Sequence, residues 1–169
     1  MTNKLAKLIT RLDSIPASIR PYFVSQILGR SVPFVGTVGV WFDELAMGRA
    51  RLSLSNRRRV RNHVGTMHAA AITLLAEAAS GFALAMSSPD DKTPLIKSLH
   101  VRFLKKAEGD LAAVATLSSE AMSRISSEDR GELIVPVKVT DASGNEPVAC
   151  EALWAWVPRT SRSVNGGPP

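Results

Sequence analysis

In the stretch NHVGTMHAAAITLLAE, residues 62–77, an amide, an imidazole and a carboxylate stand at fixed intervals: Asn62, His68 and Glu77. An imidazole moves or holds a proton, an amide orients a substrate or water, and a carboxylate acts as base or nucleophile. Glu77 lies in an otherwise apolar run, and Thr73, Glu77 and Ser80 follow at helical spacing, which places them along one stripe. A buried carboxylate without a partner has a raised pKa and becomes a candidate base. The bland alternative is an ion pair with a lysine or arginine, or a cap on backbone donors. Upstream, Gly65 suits an irregular turn and Thr66 an N-cap. The first amides of the helix, those of His68 and Ala69, are then free to hold an anion such as a tetrahedral oxyanion.

One copy of the chain cannot complete that site. Ala69 and Glu77 are about 12 Å apart along a helix that rises 1.5 Å per residue. Two copies antiparallel about a twofold axis would set the amide of one against the carboxylate of the other, so a homodimer with shared sites is expected, either alone or within a tetramer.

The elements that must position these groups can be read from periodicity. Residues 3–13 and 21–29 form a helical lead-in, punctuated by Pro16 and Pro21. Strand patterns follow at 37–44 and 50–55, joined as a hairpin, then the apolar helix from Met67 to Met86. Four more strand patterns run at 95–103, 111–119, 132–141 and 147–157, the last two joined by the turn DASGN. Pro136 removes one ladder donor and predicts an edge position or a bulge. A helix apolar on nearly every side needs cover all round. An antiparallel sheet wrapped around it gives an α+β fold. The divisions expected are a helical extension at 1–30, a main domain at 31–158 and a disordered tail at 159–169.

Composition narrows the classes. The chain has 169 residues, 45% hydrophobic and 21% charged, as in one ordinary globular domain. A single cysteine, Cys150, forbids an internal disulfide and fits a reducing compartment. The N-terminus shows no secretory pattern and the apolar helix is interrupted by polar residues, so a cytoplasmic protein without a membrane span is expected. The net charge of +6 is spread over several clusters. With no zinc spacing or aromatic-studded basic strand, these read as solvated surface and not as a nucleic-acid interface. His63, His68 and His100 lack metal-ligand spacing, and neither a phosphate-binding glycine loop nor a G-x-S-x-G elbow occurs. Cys150 reads as packing, and Trp154 and Trp156, which share a strand face, as core or dimer contact.

The motif resembles that of hotdog-fold acyl-CoA thioesterases of the phenylacetyl-CoA and 4-hydroxybenzoyl-CoA type. Their pattern is Asn, five residues, His-Gly-Gly, then Asp or Glu nine residues after the His. Asn62, His68 and Glu77 match it, and the order of elements is similar over residues 31–157. The resemblance implies thioester hydrolysis with no cofactor beyond the coenzyme A of the substrate. Glu77 would be nucleophile or base, the Ala69 amide the oxyanion donor, His68 a hold on the thioester carbonyl, and Asn62 an orienter of water. Gly65, Thr73 and Ser80 would line the substrate, with Arg102, Lys105 and Lys106 on its phosphates; Arg58, Arg59 and Arg61 are alternatives there. Ala69-Ala70 replaces Gly-Gly, which motivates a second possibility, a non-catalytic acyl-CoA or lipid-binding hotdog protein. A hotdog hydratase or dehydratase is the third.

Overall fold

A computed structural model describes residues 3–159. The elements are α1 (Lys4–Arg11), α2 (Arg20–Ser31), α3 (Pro33–Val38), β1 (Trp41–Ala46), β2 (Arg49–Leu54), α4 (Ala69–Ser87), β3 (Lys92–Phe103), β4 (Leu111–Thr116), α5 (Ser119–Ser127), β5 (Gly131–Asp141) and β6 (Val148–Pro158). The six strands form one antiparallel sheet in the order β1-β2-β4-β5-β6-β3. It wraps around α4, which touches every strand. This is the α+β arrangement expected of a hotdog fold.

Alternation puts one face of each strand on the helix. Ala50, Leu52 and Leu54 of β2, Leu111, Ala113 and Ala115 of β4, and Ala152, Trp154 and Trp156 of β6 are all buried. From the other side α4 supplies Ile72, Leu75, Ala79, Ala83 and Leu84, while Phe82 meets Phe42 edge to face at 4.7 Å. Each fully buried leucine in this layer contributes about 1.5–3 kcal/mol, and each alanine methyl less than half of that. Gly81 lies beneath the Trp154 indole, where a Cβ would stand 2.8 Å from Cη2. Helix propensity is sacrificed there to seat the largest side chain of the core. By length and composition Ala69–Ser87 is apolar enough to cross a membrane; here it is the core helix under the sheet.

Four expectations about the elements need correction or refinement. Residues 37–44 are not one strand: Pro33 opens α3, and Gly39, at φ 82°, closes it, so Val38 is helical and β1 begins at Trp41. The strand expected to run to residue 119 ends at Thr116, because Ser118 caps α5, accepting from the Ala121 amide at 3.1 Å. That helix is short, and only Ala121, Met122 and Ile125 face the core from it. Pro136 lies on an interior strand between β4 and β6, where an edge or bulge was expected. The pairing of β5 with β4 stops at Val137, so at Pro136 the strand is locally an edge. The fourth concerns the start of α4 and is taken up with the site. The expected disordered tail lies, beyond Arg159, outside the described residues.

The N-terminal helices are tied into the core. Asn3 accepts from the Ala6 amide at 2.7 Å, capping α1. Its Nδ2 donates to the carbonyls of Ala85 (2.6 Å), Met86 (3.2 Å) and Ser88 (2.6 Å) at the end of α4. Buried Lys92 does the same for α5, donating to the carbonyls of Ile125, Ser126 and Glu128.

Candidate active site

The loop before α4 is built by Asn62. Its Oδ1 accepts from the amides of Val64 and Thr66, both at 3.1 Å, and its Nδ2 donates to Thr66 Oγ1 at 2.9 Å. The turn closes through Gly65 at φ 80°, a left-handed conformation that favours glycine. Beside a Cβ placed on Gly65 there is only open space, so the residue serves the backbone. The side chain of Asn62 is thus committed to shaping the helix entrance.

The helix begins at Ala69, and its N-cap is His68, not Thr66. His68 Nδ1 accepts from the Ala70 amide at 3.0 Å. A neutral ring that accepts at Nδ1 carries its proton on Nε2, so His68 offers that N–H to solvent. The His68 amide, expected to be free, donates to the Val60 carbonyl at 2.8 Å. The amides of Ala71 and Ile72 donate back to the His68 carbonyl. The Ala69 N–H alone in this turn has no acceptor among the described residues, and Ala69 is exposed. One backbone donor at a helix N-terminus and one imidazole N–H beside it form a site suited to developing negative charge.

Beside this entrance is a cavity of about 140 Å³ that brings together Asn62, Ala69, Lys105 and Lys106, with Met67, Ile72 and Phe103 as its apolar wall. Lys105 Nζ donates to Asn145 Oδ1 at 3.0 Å. Arg102 is exposed on β3 and does not reach the cavity. The adjacent Phe103 points into it, as strand alternation requires. Of the alternatives, Arg61 is held by the carbonyl and side chain of Asn56, and Arg59 lines a different cavity.

Two turns along α4, Glu77 stands half-buried in line with half-buried Thr73, on the open part of that stripe, before Trp154 covers it at Gly81. No lysine or arginine among the described residues pairs with it. Burial pushes its carboxyl above the ordinary glutamate value. Ser80, expected on the same stripe, is turned into the core. Its hydroxyl donates to the Glu77 carbonyl at 2.8 Å and accepts from Trp154 Nε1 at 2.9 Å, so it has no exposed surface for a substrate. The buried indole N–H requires that acceptor.

The remaining sequence candidates are placed elsewhere. His100 is exposed on β3 opposite Glu151. Cys150 packs against the core, with its thiol held up first by burial and then by the charge of Glu151, which is the reverse of an activated nucleophile. No cluster of metal-ligating side chains occurs among the described residues. Sequence reasoning missed Phe103 and Ala107, which reach the site from the end of β3 and from the loop that follows it.

Comparison with known proteins gives the architecture its family. The chain is similar to a Pseudomonas aeruginosa protein described as of unknown function, probable thioesterase (24% identity, TM-score 0.73, 82% of this chain and 95% of that one). It is similar to a thioesterase from Haemophilus influenzae at 13% identity (TM-score 0.67, 83% and 92% covered). A thioesterase family protein from Silicibacter pomeroyi shares 19% identity (TM-score 0.62, 80% and 96% covered). These likenesses establish the hotdog fold. No curated protein matches the sequence. The model of the family described as "Domain of unknown function (DUF4442)" matches residues 21–157, and the chain belongs to that family.

Proposed function

We propose that the protein hydrolyses an acyl thioester of coenzyme A or of an acyl carrier to the free acid and thiol, acting as a homodimer. The observation that carries this reading is Glu77: a half-buried, unpaired carboxylate on the open stripe of α4, in a chain whose helix start keeps one N–H free. An unpaired acid is costly to keep at such a place unless it has work to do.

In the reaction Glu77 takes a proton from water as the oxygen attacks the thioester carbonyl carbon. The oxyanion forms at the Ala69 N–H of the partner, beside the His68 Nε2–H. Collapse expels the thiolate, which recovers the proton. Direct attack by Glu77, with later hydrolysis of the anhydride, gives the same products. Water is the only co-reactant, and coenzyme A enters as part of the substrate. Lys105 and Lys106 attract the carrier's phosphates.

Support for the dimer comes from β3. It is an edge strand of 12 residues, paired among the described residues only with β6, and it exposes Leu95, Ile96 and Phe103. A long apolar edge invites a second strand, and a twofold pairing of two β3 edges satisfies it. A cytoplasmic location follows the same reading, with the unpaired Cys150 kept reduced.

The test is thiol release over short, long and aryl acyl thioesters, with the Glu77→Gln protein beside the wild type. Turnover of at least one class by wild type alone is expected. Equal turnover by both proteins would sink the assignment. The methyls of Ala69 and Ala70, both exposed at the entrance, favour a second reading as a non-catalytic acyl-thioester binder. Ligand-induced stabilisation without thiol release would select it.

A further inference from the structure

A second cavity, several times larger than the one at the α4 entrance, lies elsewhere on the chain. It measures about 750 Å³ and lies between α2 and α3 on one side and the outer face of β1 and β2 on the other. That size suits a small organic ligand. Arg30 of α2 and Arg57 and Arg59 of the loop after β2 converge on it from opposite walls. None of the three is paired with a carboxylate within 4 Å among the described residues. Among the described residues the Arg30 side chain donates only to the Gln26 carbonyl of its own helix, at 3.2 Å. Like charges brought together unpaired repel one another, and an anion between them removes that cost.

The walls are shaped to keep the space open. A Cβ on Gly36 would overlap the Gly29 carbonyl, so α2 and α3 meet backbone to backbone. Gly39 leaves bare backbone against which the Arg59 guanidinium lies. Trp41 faces the same space and is 38% exposed, leaving ring surface for a planar group. Asp43, at the bulge of β1, is the single acid on the wall. A carboxylate there can accept from ligand hydroxyls.

We propose that this cavity binds a nucleotide-sized organic phosphate, its phosphates held by Arg30, Arg57 and Arg59 and its base against Trp41. Such a ligand is either a free nucleotide or the nucleotide end of a thioester carrier, in which case these arginines hold the carrier's phosphates in place of Lys105 and Lys106. The site does not depend on hydrolysis at Glu77, and its test needs no turnover.

The experiment is calorimetric titration of the full chain with ADP, with inorganic pyrophosphate and with coenzyme A. ADP should bind with a Kd on the order of 10 µM and more weakly as salt rises. Arg57→Gln with Arg59→Gln should raise that Kd about 30-fold. Arg30→Glu, a surface change on another element, should weaken it comparably and covers the case that the double variant fails to fold. Trp41→Leu should weaken ADP but not pyrophosphate. Coenzyme A displacing ADP and binding more tightly than ADP identifies the carrier as the source; ADP binding that coenzyme A displaces only weakly or not at all identifies a free nucleotide. No binding at millimolar ADP and pyrophosphate overturns the proposal. So does binding that survives all the arginine variants and disappears in Lys105→Ala with Lys106→Ala.

Discussion

The two ends of α4 are finished differently. At the C-terminal end Asn3 closes three carbonyls with one side-chain amide, and Ser87 and Ser88 donate to the Ala83 and Leu84 carbonyls. At the N-terminal end His68 and the Val60 carbonyl satisfy their neighbours and leave the Ala69 N–H open, with an unpaired Glu77 on the same helix. A helix closed at one end and open at the other separates the part that holds the fold from the part available to a ligand. Substitutions at the open end should remove rate and spare stability, and those at the closed end should do the reverse.

Glu77→Gln should give the largest effect, a loss of thiol release of about 10³-fold. Its stability should move the other way. Because burial raises the folded-state pKa, the charged form is penalised in the folded chain at any pH above that value. The penalty disappears below about pH 4, where folded and unfolded chains are both protonated. The variant should therefore melt higher than wild type at pH 8 and match it near pH 4. In the wild type, kcat/KM should rise with pH through the raised pKa. A variant that melts lower at pH 8 would show instead that Glu77 belongs to the framework.

Ala69→Pro comes next. Ala69 is the first residue of the helix, where proline is tolerated, and His68 already has the extended backbone that a following proline requires (φ −66°, ψ 140°). The change deletes one N–H with little disturbance, so kcat should fall about 10²-fold while the melting temperature holds. An unchanged kcat would remove Ala69 from the oxyanion site.

Lys105→Ala with Lys106→Ala should raise KM about 10-fold and leave kcat alone, with the difference shrinking in high salt. Asn3→Ala should barely alter turnover per folded molecule. Stranding its three carbonyls costs about 2 kcal/mol, which lowers the melting temperature by about 6 °C. A rate loss there larger than the stability loss would mean that the two ends are coupled.

The wrapped helix, the β1–β2 hairpin and the DASGN turn were legible because each has a local signature: an all-round apolar run, a two-residue alternation, a cluster of turn formers. The motif at 62–77 was legible for the same reason. Less accessible was the distribution of polar work inside it. Ser80 and Glu77 look equivalent on a helical wheel, and the difference is Trp154, 74 residues away, whose indole N–H claims the serine. Thr66 was the better N-cap by residue type, but Asn62 claimed its hydroxyl and His68 took the role. The position of Pro136 depended on where β4 stops, a property of another strand. Local pattern named the elements; long-range hydrogen bonds decided which polar groups remained free.

The central claim is that each site is divided between two chains, and mixing tests it most directly. Glu77→Gln and Ala69→Pro proteins, each nearly inactive alone, are unfolded together in equal amounts and refolded. If the carboxylate of one chain serves the amide of the other, half of the dimers are hybrids with one intact site, and activity returns to about a quarter of wild type. A mixture no more active than its separate components would place both groups in one chain's site, or in none, and would contradict the account.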